Sequence, residues 1–268
     1  MTTARVTLSG STVLLSGATG GIGHAIARAL AARGARLILT GRRSDVLQGL
    51  AAETGGRAVA CDLADREAVA RLAAEAAEAD VLVANAALPA SGELTELTQE
   101  QIDRMLEVNL RAPIALARAL APEMAARGSG HLVFINSLSG KTTSPASSLY
   151  SATKFGLRGF ALGAREDLRD RGVGVSTIFP GFIRDAGMFA DTGVRLRPGV
   201  GTRSPDEVAA AVVRAIDTDR AEIDVAPFGL RAGAALGGLA PAAVAAVTRR
   251  LGSHDIAAQM AKAQRRFR

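Results

Sequence analysis

The chain has no tryptophan, one cysteine and one tyrosine among its 268 residues. Because a single cysteine cannot form an internal disulfide, Cys61 excludes a disulfide-stapled fold and fits a reducing compartment. The first ten residues, MTTARVTLSG, lack the apolar run of a signal peptide, so the sequence predicts a cytoplasmic protein. With 48% hydrophobic and 22% charged residues, the composition is that of a globular protein with one sizeable core.

The excess of basic residues is confined to the carboxyl terminus. From residue 229 onward seven basic side chains stand against one acid, Asp255, and this difference of +6 equals the net charge of the whole chain. The basic residues are Arg231, Arg249, Arg250, Lys262, Arg265, Arg266 and Arg268. The body is therefore formally neutral, which argues against a nucleic-acid-binding surface.

This charge distribution predicts two parts of the chain. Residues 1–228 are expected to form a single domain, and residues 229–268 a basic, Gly/Ala-rich helical extension. The extension is interpreted as a solvated end that packs against the body or a partner subunit. Membrane contact through the basic tail is the lesser alternative, because the uncharged run 232–248 is short and rich in glycine and alanine.

Strand-like and helix-like segments alternate along the chain. This order predicts a doubly wound parallel sheet with helices on both faces, a three-layer α/β/α fold of the Rossmann type. The predicted strands are 12–16, 35–40, 57–61, 80–84, 131–136, 173–179 and 222–226. The predicted helices are 22–33, a helix capped by Ser44, 65–79, 98–127, 148–171, a helix opened by Ser204 and Pro205, 241–251 and 256–265.

Two features qualify this pattern. Thr98 and Gln101 form a capping box at the start of the long helix 98–127, and Pro113 should bend that helix or remove a hydrogen bond from it. Residues 182–203 lack periodicity and are interpreted as a lid loop with short helical pieces, because structureless stretches of this length inside compact domains are often functional.

A glycine-rich turn follows the first predicted strand. Residues 16–23 read SGATGGIG and lead directly into a helix. Glycines let the backbone approach a pyrophosphate, and the helix N-terminus offers free N–H groups to the anion. An ordinary glycine-rich turn would have the same spacing, but the position between strand and helix favours a dinucleotide site. The predicted contacts are Gly17, Thr19, Gly20, Gly21, Ile22 and Gly23.

The end of the second predicted strand indicates which dinucleotide binds. Sites selective for NAD carry an acidic side chain there, whereas this chain carries Thr40-Gly41-Arg42-Arg43. Two arginines can bind a 2′-phosphate by charge-assisted hydrogen bonds, so Arg42 and Arg43 favour NADP(H) over NAD(H). Two solvated arginines at a helix start are the alternative, which leaves the missing acid unexplained.

Ser137, Tyr150 and Lys154 form the candidate catalytic group. Tyr150 and Lys154 are four residues apart and share one helix face, while Ser137 lies 13 positions before the tyrosine, after a buried strand. A phenol titrates near pH ~10, and we expect the Lys154 ammonium to lower that pKa. Tyr150 can then exchange a proton with an alcohol or carbonyl oxygen that Ser137 holds. No metal site is predicted.

Together these residues resemble the short-chain dehydrogenase/reductase family over about residues 12–226. Gly17, Gly21 and Gly23 match its Gly-x-x-x-Gly-x-Gly turn, with Ser16 where threonine is usual. The resemblance implies further site residues. Asp62 and Leu63 would lie at the adenine ring, and Pro180, Gly181 and Ile183 beside the nicotinamide. Asn85 and Ala86 belong to an Asn-Ala-Gly motif in which Ala87 replaces glycine, and Asn109 would support a water-linked proton relay. Asp185 is a departure, because the family often has a threonine there that binds the carboxamide.

The resemblance also implies a function. It implies hydride transfer between NADP(H) and a carbonyl or alcohol, with Tyr150 as acid/base and Ser137 orienting the substrate oxygen. Tyr150 and Lys154 are also expected to bind the cofactor, Lys154 at the nicotinamide ribose. It further implies a homodimer or homotetramer, formed through the helices predicted at 98–127 and 148–171. The lid residues indicate a fairly apolar small-molecule substrate with polar groups nearby: Phe182, Ile183, Met188 and Phe189, then Arg184, Asp185 and Arg195.

Three other functions are compatible with this fold. The first is a non-catalytic NADP-binding regulatory module, although such a module has no need of Tyr150 and Lys154. The second is an epimerase or dehydratase, whose glycine spacing usually differs from that of Gly17, Gly21 and Gly23. The third is a membrane-associated reductase that uses the basic tail.

Overall fold

The strands of the computed structural model form one parallel sheet. The structure describes residues 6–89, 92–194, 196, 200–250, 259–260 and 262–264. In this part of the chain, strands β1 to β7 are Thr12–Ser16, Arg36–Gly41, Arg57–Ala60, Val81–Ala84, Gly130–Ile135, Val173–Pro180 and Glu222–Val225. Their order is β3-β2-β1-β4-β5-β6-β7, and each neighbouring pair runs parallel. The predicted doubly wound α/β fold is confirmed.

Helices cover both faces of the sheet because alternate strand side chains point to opposite sides. The described α-helices, α1 to α9, are Gly21–Ala31, Ser44–Thr54, Arg66–Glu75, Gln99–Leu106, Ala112–Arg127, Ser148–Leu168, Pro205–Thr218, Phe228–Leu239 and Pro241–Arg250. In β1, Val13 and Leu15 join a core cluster with α1, α2 and α7. Leu14 joins the opposite cluster with α3, α5 and α6.

Side-chain caps define the start of two helices as predicted. Thr98 and Gln101 form the capping box of α4, and Ser204 and Glu207 form one at α7. The predicted cap at Ser44 is wrong. Ser44 is the first residue of α2, so its hydroxyl lies inside the first turn rather than ahead of it, and the residue before it provides no side-chain cap.

The long helix predicted at 98–127 is interrupted rather than continuous. A π-helical turn, Glu107–Arg111, separates α4 from α5. Within it the N–H of Ala112 bonds to the carbonyl of Glu107, five residues back. Pro113 has no N–H, so the carbonyl of Asn109, four residues earlier, has no α-helical donor. The perturbation predicted at Pro113 thus takes the form of a widened turn just ahead of it.

The chain after β7 is helical where it is described. The sequence predicted a helical extension but placed no separate helix at α8, where four of the twelve residues are glycine. Helix α9 agrees with the helix predicted at 241–251 as far as Arg250, and Leu251 lies outside the described residues. Of the helix predicted at 256–265, only 259–260 and 262–264 are described, and they are helical. Within the described part, no helix is long and apolar enough to cross a membrane.

Candidate active site

The predicted site residues meet at the carboxyl edge of the sheet. In a parallel sheet all strands end at the same edge, where ligands bind beside the point at which strand order reverses. The glycine-rich turn follows β1, Arg42 follows β2, Asn85 follows β4 and Ser137 lies just beyond β5. Pro180 ends β6 at the same edge. The fold therefore gathers segments that are far apart in sequence.

The structure brings Ser137, Tyr150 and Lys154 together. Helix α6 begins at Ser148, so Tyr150 and Lys154 lie in its first two turns. The Ser137 side chain lies near enough to the Tyr150 phenol to favour its charged form. The Lys154 Nζ lies 5.6 Å from the centroid of the Tyr150 ring and donates to the carbonyl of Ile135 at 3.1 Å. Lys154 is 1% exposed, so its ammonium is held inside the protein.

Burial disfavours the charged form of both titratable groups. Tyr150 is partly buried, and this burial raises the pKa of Tyr150 to about 12, with a smaller opposing effect from the nearby Ser137 side chain. Burial lowers the pKa of Lys154 to about 8. The expected lowering of the Tyr150 pKa is wrong for this structure, because removal of the phenol from water is the largest influence on that pKa. Tyr150 is therefore protonated at neutral pH, the form that donates a proton.

Asn136 is a positioning residue that the sequence did not reveal. It follows β5 and is 4% exposed. Its Nδ2 donates to the carbonyl of Lys154 at 3.0 Å, and its Oδ1 accepts from the N–H of Ser137 at 2.8 Å. A Cβ at Gly140 would lie 2.5 Å from that Oδ1, so the turn closes tightly on the amide. Its place between a buried strand and Ser137 is the only sequence signal for this role.

Asn109 lies in the π-helical turn and binds the chain beyond β4. Its Nδ2 donates to the carbonyl of Leu88 at 2.9 Å, and its Oδ1 accepts from the N–H of Leu88 at 2.7 Å. Asn109 is 1% exposed. The side chain therefore fastens the turn to the segment after Asn85-Ala86-Ala87, and its predicted part in a proton relay stays a prediction.

The glycine-rich turn is fixed against the end of β4. Gly17 has φ +65°, and a Cβ there would lie 2.7 Å from the Cα of Ala86, so the position requires glycine. The Oγ of Ser16 accepts from the N–H groups of Asn85 and Ala86 at 3.1 and 3.2 Å. The Asn85 side chain donates in return to the carbonyls of Ser16 and Gly17. Serine thus fills the place where threonine is usual.

The lid loop, residues 182–203, rests on this turn. A Cβ at Gly21 would lie 2.2 Å from the Cβ of Ala186. The loop is closed at its base, where Ile183 pairs with Arg203 as an isolated parallel bridge. Ile183 is 3% exposed. Gly21 is therefore needed for the contact between the lid and the turn.

The lid has an apolar and a polar part. The rings of Phe182 and Phe189 pack with their centroids 4.9 Å apart. Asp185 has a positive φ of 69°, and its exposed carboxylate lies 3.3 Å from the guanidinium of Arg184. It therefore faces solvent rather than the edge of the sheet. Arg195 lies outside the described residues.

Exposed cations lie beside the turn at the end of β2. Arg42 and Arg43 are exposed, and the guanidinium of Arg43 donates to the carbonyl of Thr19 in the turn. Thr40 is fully buried, and its Oγ1 has no hydrogen-bond partner among the described residues. Free positive charge and an unpaired hydroxyl beside a glycine turn suit a dinucleotide that carries an extra phosphate.

Asp62 and Leu63 follow β3 at the same edge. The Asp62 Oδ2 pairs with Arg104 at 3.1 Å, and its Oδ1 accepts from the N–H of Ala64. Burial acts to raise the Asp62 pKa, but these two bonds hold it below its ordinary value. Leu63 is buried. The carboxylate is therefore charged and fixed, and its contact with an adenine ring stays a prediction.

Comparisons with known proteins place the chain among similar sequences and folds. A family model described as short chain dehydrogenase matches residues 11–194. Ketoacyl reductase HetN from Nostoc sp. is 37% identical over 228 residues, which cover 82% of this chain and 79% of that protein. A short-chain dehydrogenase from Sphingobium yanoikuyae, solved in complex with NADPH, has a TM-score of 0.74 at 29% identity and covers 80% of this chain and 87% of that one. A metagenomic short-chain oxidoreductase, solved in complex with NADP, has a TM-score of 0.70 at 35% identity. The match covers 83% of this chain and 99% of that one.

Proposed function

The chain belongs to the short-chain dehydrogenase/reductase family, and we propose that it is an NADP(H)-dependent oxidoreductase that interconverts a carbonyl and an alcohol, with Tyr150 as the acid/base. One observation carries this proposal. The buried Lys154 ammonium lies 5.6 Å from the centroid of the Tyr150 ring, and the Ser137 side chain lies near the same phenol. A binding module without turnover has no use for a buried ammonium beside a phenol.

The three side chains divide the work of proton transfer. A bound nicotinamide supplies the hydride chemistry. Tyr150, whose pKa is about 12, gives its proton to the carbonyl oxygen as charge develops there and takes it back in the reverse direction. Ser137 holds the same oxygen by a hydrogen bond. The Lys154 ammonium stabilises the phenolate left on Tyr150 and, as in the family, binds the nicotinamide ribose.

The cofactor contacts follow the edge of the sheet. Gly17, Thr19, Gly20, Gly21, Ile22 and Gly23 hold the pyrophosphate, and Arg42 and Arg43 bind a 2′-phosphate. Asp62 and Leu63 contact the adenine. The remaining contacts are those of Asn85, Ala86, Pro180, Gly181 and Ile183 around the nicotinamide half. The NADPH and NADP named for two similar structures belong to those proteins and support NADP(H) here.

The substrate is a fairly apolar carbonyl compound. The packed rings of Phe182 and Phe189 give the lid an apolar wall, which suits an aliphatic or acyl chain. HetN is named a ketoacyl reductase, so a 3-ketoacyl thioester is the first compound to try. At neutral pH Tyr150 carries the proton that it would donate during reduction. A homodimer or homotetramer in the cytoplasm stays a prediction.

The test is NADPH consumption by the full chain with ketones, aldehydes and 3-ketoacyl thioesters, with NADH in parallel. We expect Tyr150→Phe to lower kcat by about 10²- to 10⁴-fold and to leave NADPH binding intact. Arg42→Ala with Arg43→Ala should raise the KM for NADPH and change that for NADH little. Arg214→Ala, which removes an exposed arginine of α7, serves as the control and should change neither.

Two results would contradict the proposal. NADPH binding without turnover of any carbonyl, or of the matching alcohols with NADP, would favour the regulatory module. Turnover that survives in Tyr150→Phe would remove Tyr150 from its role, whatever the cofactor.

A further inference from the structure

Helix α8 carries three of its four large apolar side chains on the outside of the protein, while the fourth, Leu230, is half-buried near Gly181. Phe228, Leu236 and Leu239 are 80%, 57% and 85% exposed. At 100° per residue these positions fall within a stripe of roughly 80° on one face of the helix. A surface helix normally directs such side chains into the core, so this orientation is reversed.

The inward face of α8 is made mostly of small residues. Ala234 and Gly237 are its buried residues. A Cβ at Gly237 would lie 2.2 Å from the Oγ1 of Thr142, so the helix backbone lies directly on the chain that follows Ser137. Ala234, Gly237 and Leu230 thus attach the helix to the body, and the other three large apolar side chains are left for another surface.

Positive charge flanks the exposed stripe. Arg231 is the one charged residue of α8, and its side chain is 52% exposed, with the Asp224 carboxylate 3.8 Å away. The sequence is then uncharged from 232 to 248 and continues with Arg249 and Arg250. Residues 229–268 carry the whole net charge of +6. An anionic surface therefore complements this region, whereas a second copy docked face to face would repel it.

We propose that the exposed stripe of α8 docks on an anionic lipid bilayer. Phe228, Leu236 and Leu239 would enter the boundary between headgroups and acyl chains, and Arg231 would lie at the lipid phosphates, with the net charge of residues 229–268 adding to the attraction. Because α8 packs beside the Ser137 turn, docking brings the active site next to the bilayer. That last consequence rests on the proposed function, whereas the docking itself does not.

Vesicle co-sedimentation of the full chain tests the docking. The vesicles are phosphatidylcholine alone or an equal mixture of phosphatidylcholine and phosphatidylglycerol. We expect binding to the mixed vesicles that weakens as salt is raised. Phe228→Ser with Leu239→Ser should weaken that binding at least about tenfold, with NADPH binding and Tm unchanged because both positions face solvent. Leu94→Ser is the matched control, since Leu94 is 69% exposed beside Glu93 and Glu96 and should leave vesicle binding unchanged.

Three outcomes would overturn the proposal. The first is a wild-type chain that does not sediment with the mixed vesicles, or that sediments equally with phosphatidylcholine alone. The second is a double variant that binds as well as the wild type. The third is a dimer in gel filtration that the double variant abolishes, which would assign the stripe to a second copy of the chain. None of these depends on turnover, so failure here leaves the proposed function untouched.

Discussion

The two edges of the sheet bury polar groups in different ways. At the amino edge, the Nε2 of His131 lies 2.8 Å from the Oγ of Ser176, and burial lowers the pKa of His131 to about 4, so the ring is neutral. Arg165 makes a bidentate pair with Asp219 and also donates to backbone carbonyls. A surface pocket at this edge is lined by these groups, but they pair with one another.

At the carboxyl edge, the buried polar groups are less completely paired. The Lys154 ammonium is fully buried beside a phenol, and the Thr40 hydroxyl has no partner in the part of the chain that the structure describes. Native proteins pair nearly all buried polar groups, and exceptions mark binding or catalysis. The difference indicates that the amino edge serves stability and the carboxyl edge serves chemistry at some expense of stability.

Among the tests of this comparison, the largest effect is expected for Lys154→Met. We expect activity to fall by at least about 10²-fold, while the free energy of unfolding near pH 7 rises by up to about 3 kcal/mol, because the pKa of Lys154 drops from 10.5 to about 8 on folding. Unfolding by urea, monitored by circular dichroism, measures the change.

The pH dependence gives the sign of this effect. Between pH 8 and 10.5 the unfolded chain binds more protons at residue 154 than the folded chain, so wild-type stability rises with pH in this window. The advantage of Lys154→Met should therefore be full below pH 8 and gone above 10.5. If Lys154→Met is less stable than wild type at pH 7, burial of the Lys154 ammonium at the carboxyl edge does not destabilise the fold.

The second test is Arg165→Ala at the amino edge. Removing four hydrogen bonds and leaving Asp219 without its partner should lower the free energy of unfolding by about 2 kcal/mol, with kcat unchanged. Arg169→Ala is the control, because its pair with Glu166 is about 70% exposed on both sides and should contribute little. Loss of kcat in Arg165→Ala without loss of stability would mean that this edge takes part in the chemistry.

The smallest effects are expected when two buried hydroxyls are removed in separate variants. Thr40→Val removes a hydroxyl without a described partner, and should leave stability unchanged or raise it by about 1 kcal/mol. Ser176→Ala removes the partner of His131 and should lower stability by about 1 kcal/mol. Thermal unfolding of both variants in one buffer measures the difference. Equal losses in the two would show that the Thr40 hydroxyl is as well paired as that of Ser176.

Much of the site could be predicted because it depends on local sequence. The glycine-rich turn needs a strand before it and a helix after it, and Tyr150 and Lys154 need only a helix to share a face. Parallel strands then bring Ser137 to the same edge without further information. The capping box of Thr98 and Gln101 was predictable for the same reason.

The features that sequence reasoning missed depend on tertiary contacts. The Tyr150 pKa was predicted in the wrong direction because its largest influence is burial, which no residue pattern reveals. The side-chain amides of Asn136 and Asn109 form hydrogen bonds between segments that come close together only in the folded chain. No separate helix was placed at α8 because its glycines lower helix propensity, and they are tolerated where the helix packs closely on the chain beyond Ser137.

The single tyrosine gives this protein an unusual optical property. The chain has no tryptophan and no second tyrosine. Tyr150 is therefore its only aromatic side chain whose near-ultraviolet absorbance changes on ionisation of a phenol. A phenolate absorbs at longer wavelength than a phenol, so a spectrum of the unlabelled, unmutated chain reports the protonation state of one group. Tyrosine emission is likewise free of energy transfer to indole. The residue proposed to carry the reaction is thus also its own spectroscopic probe.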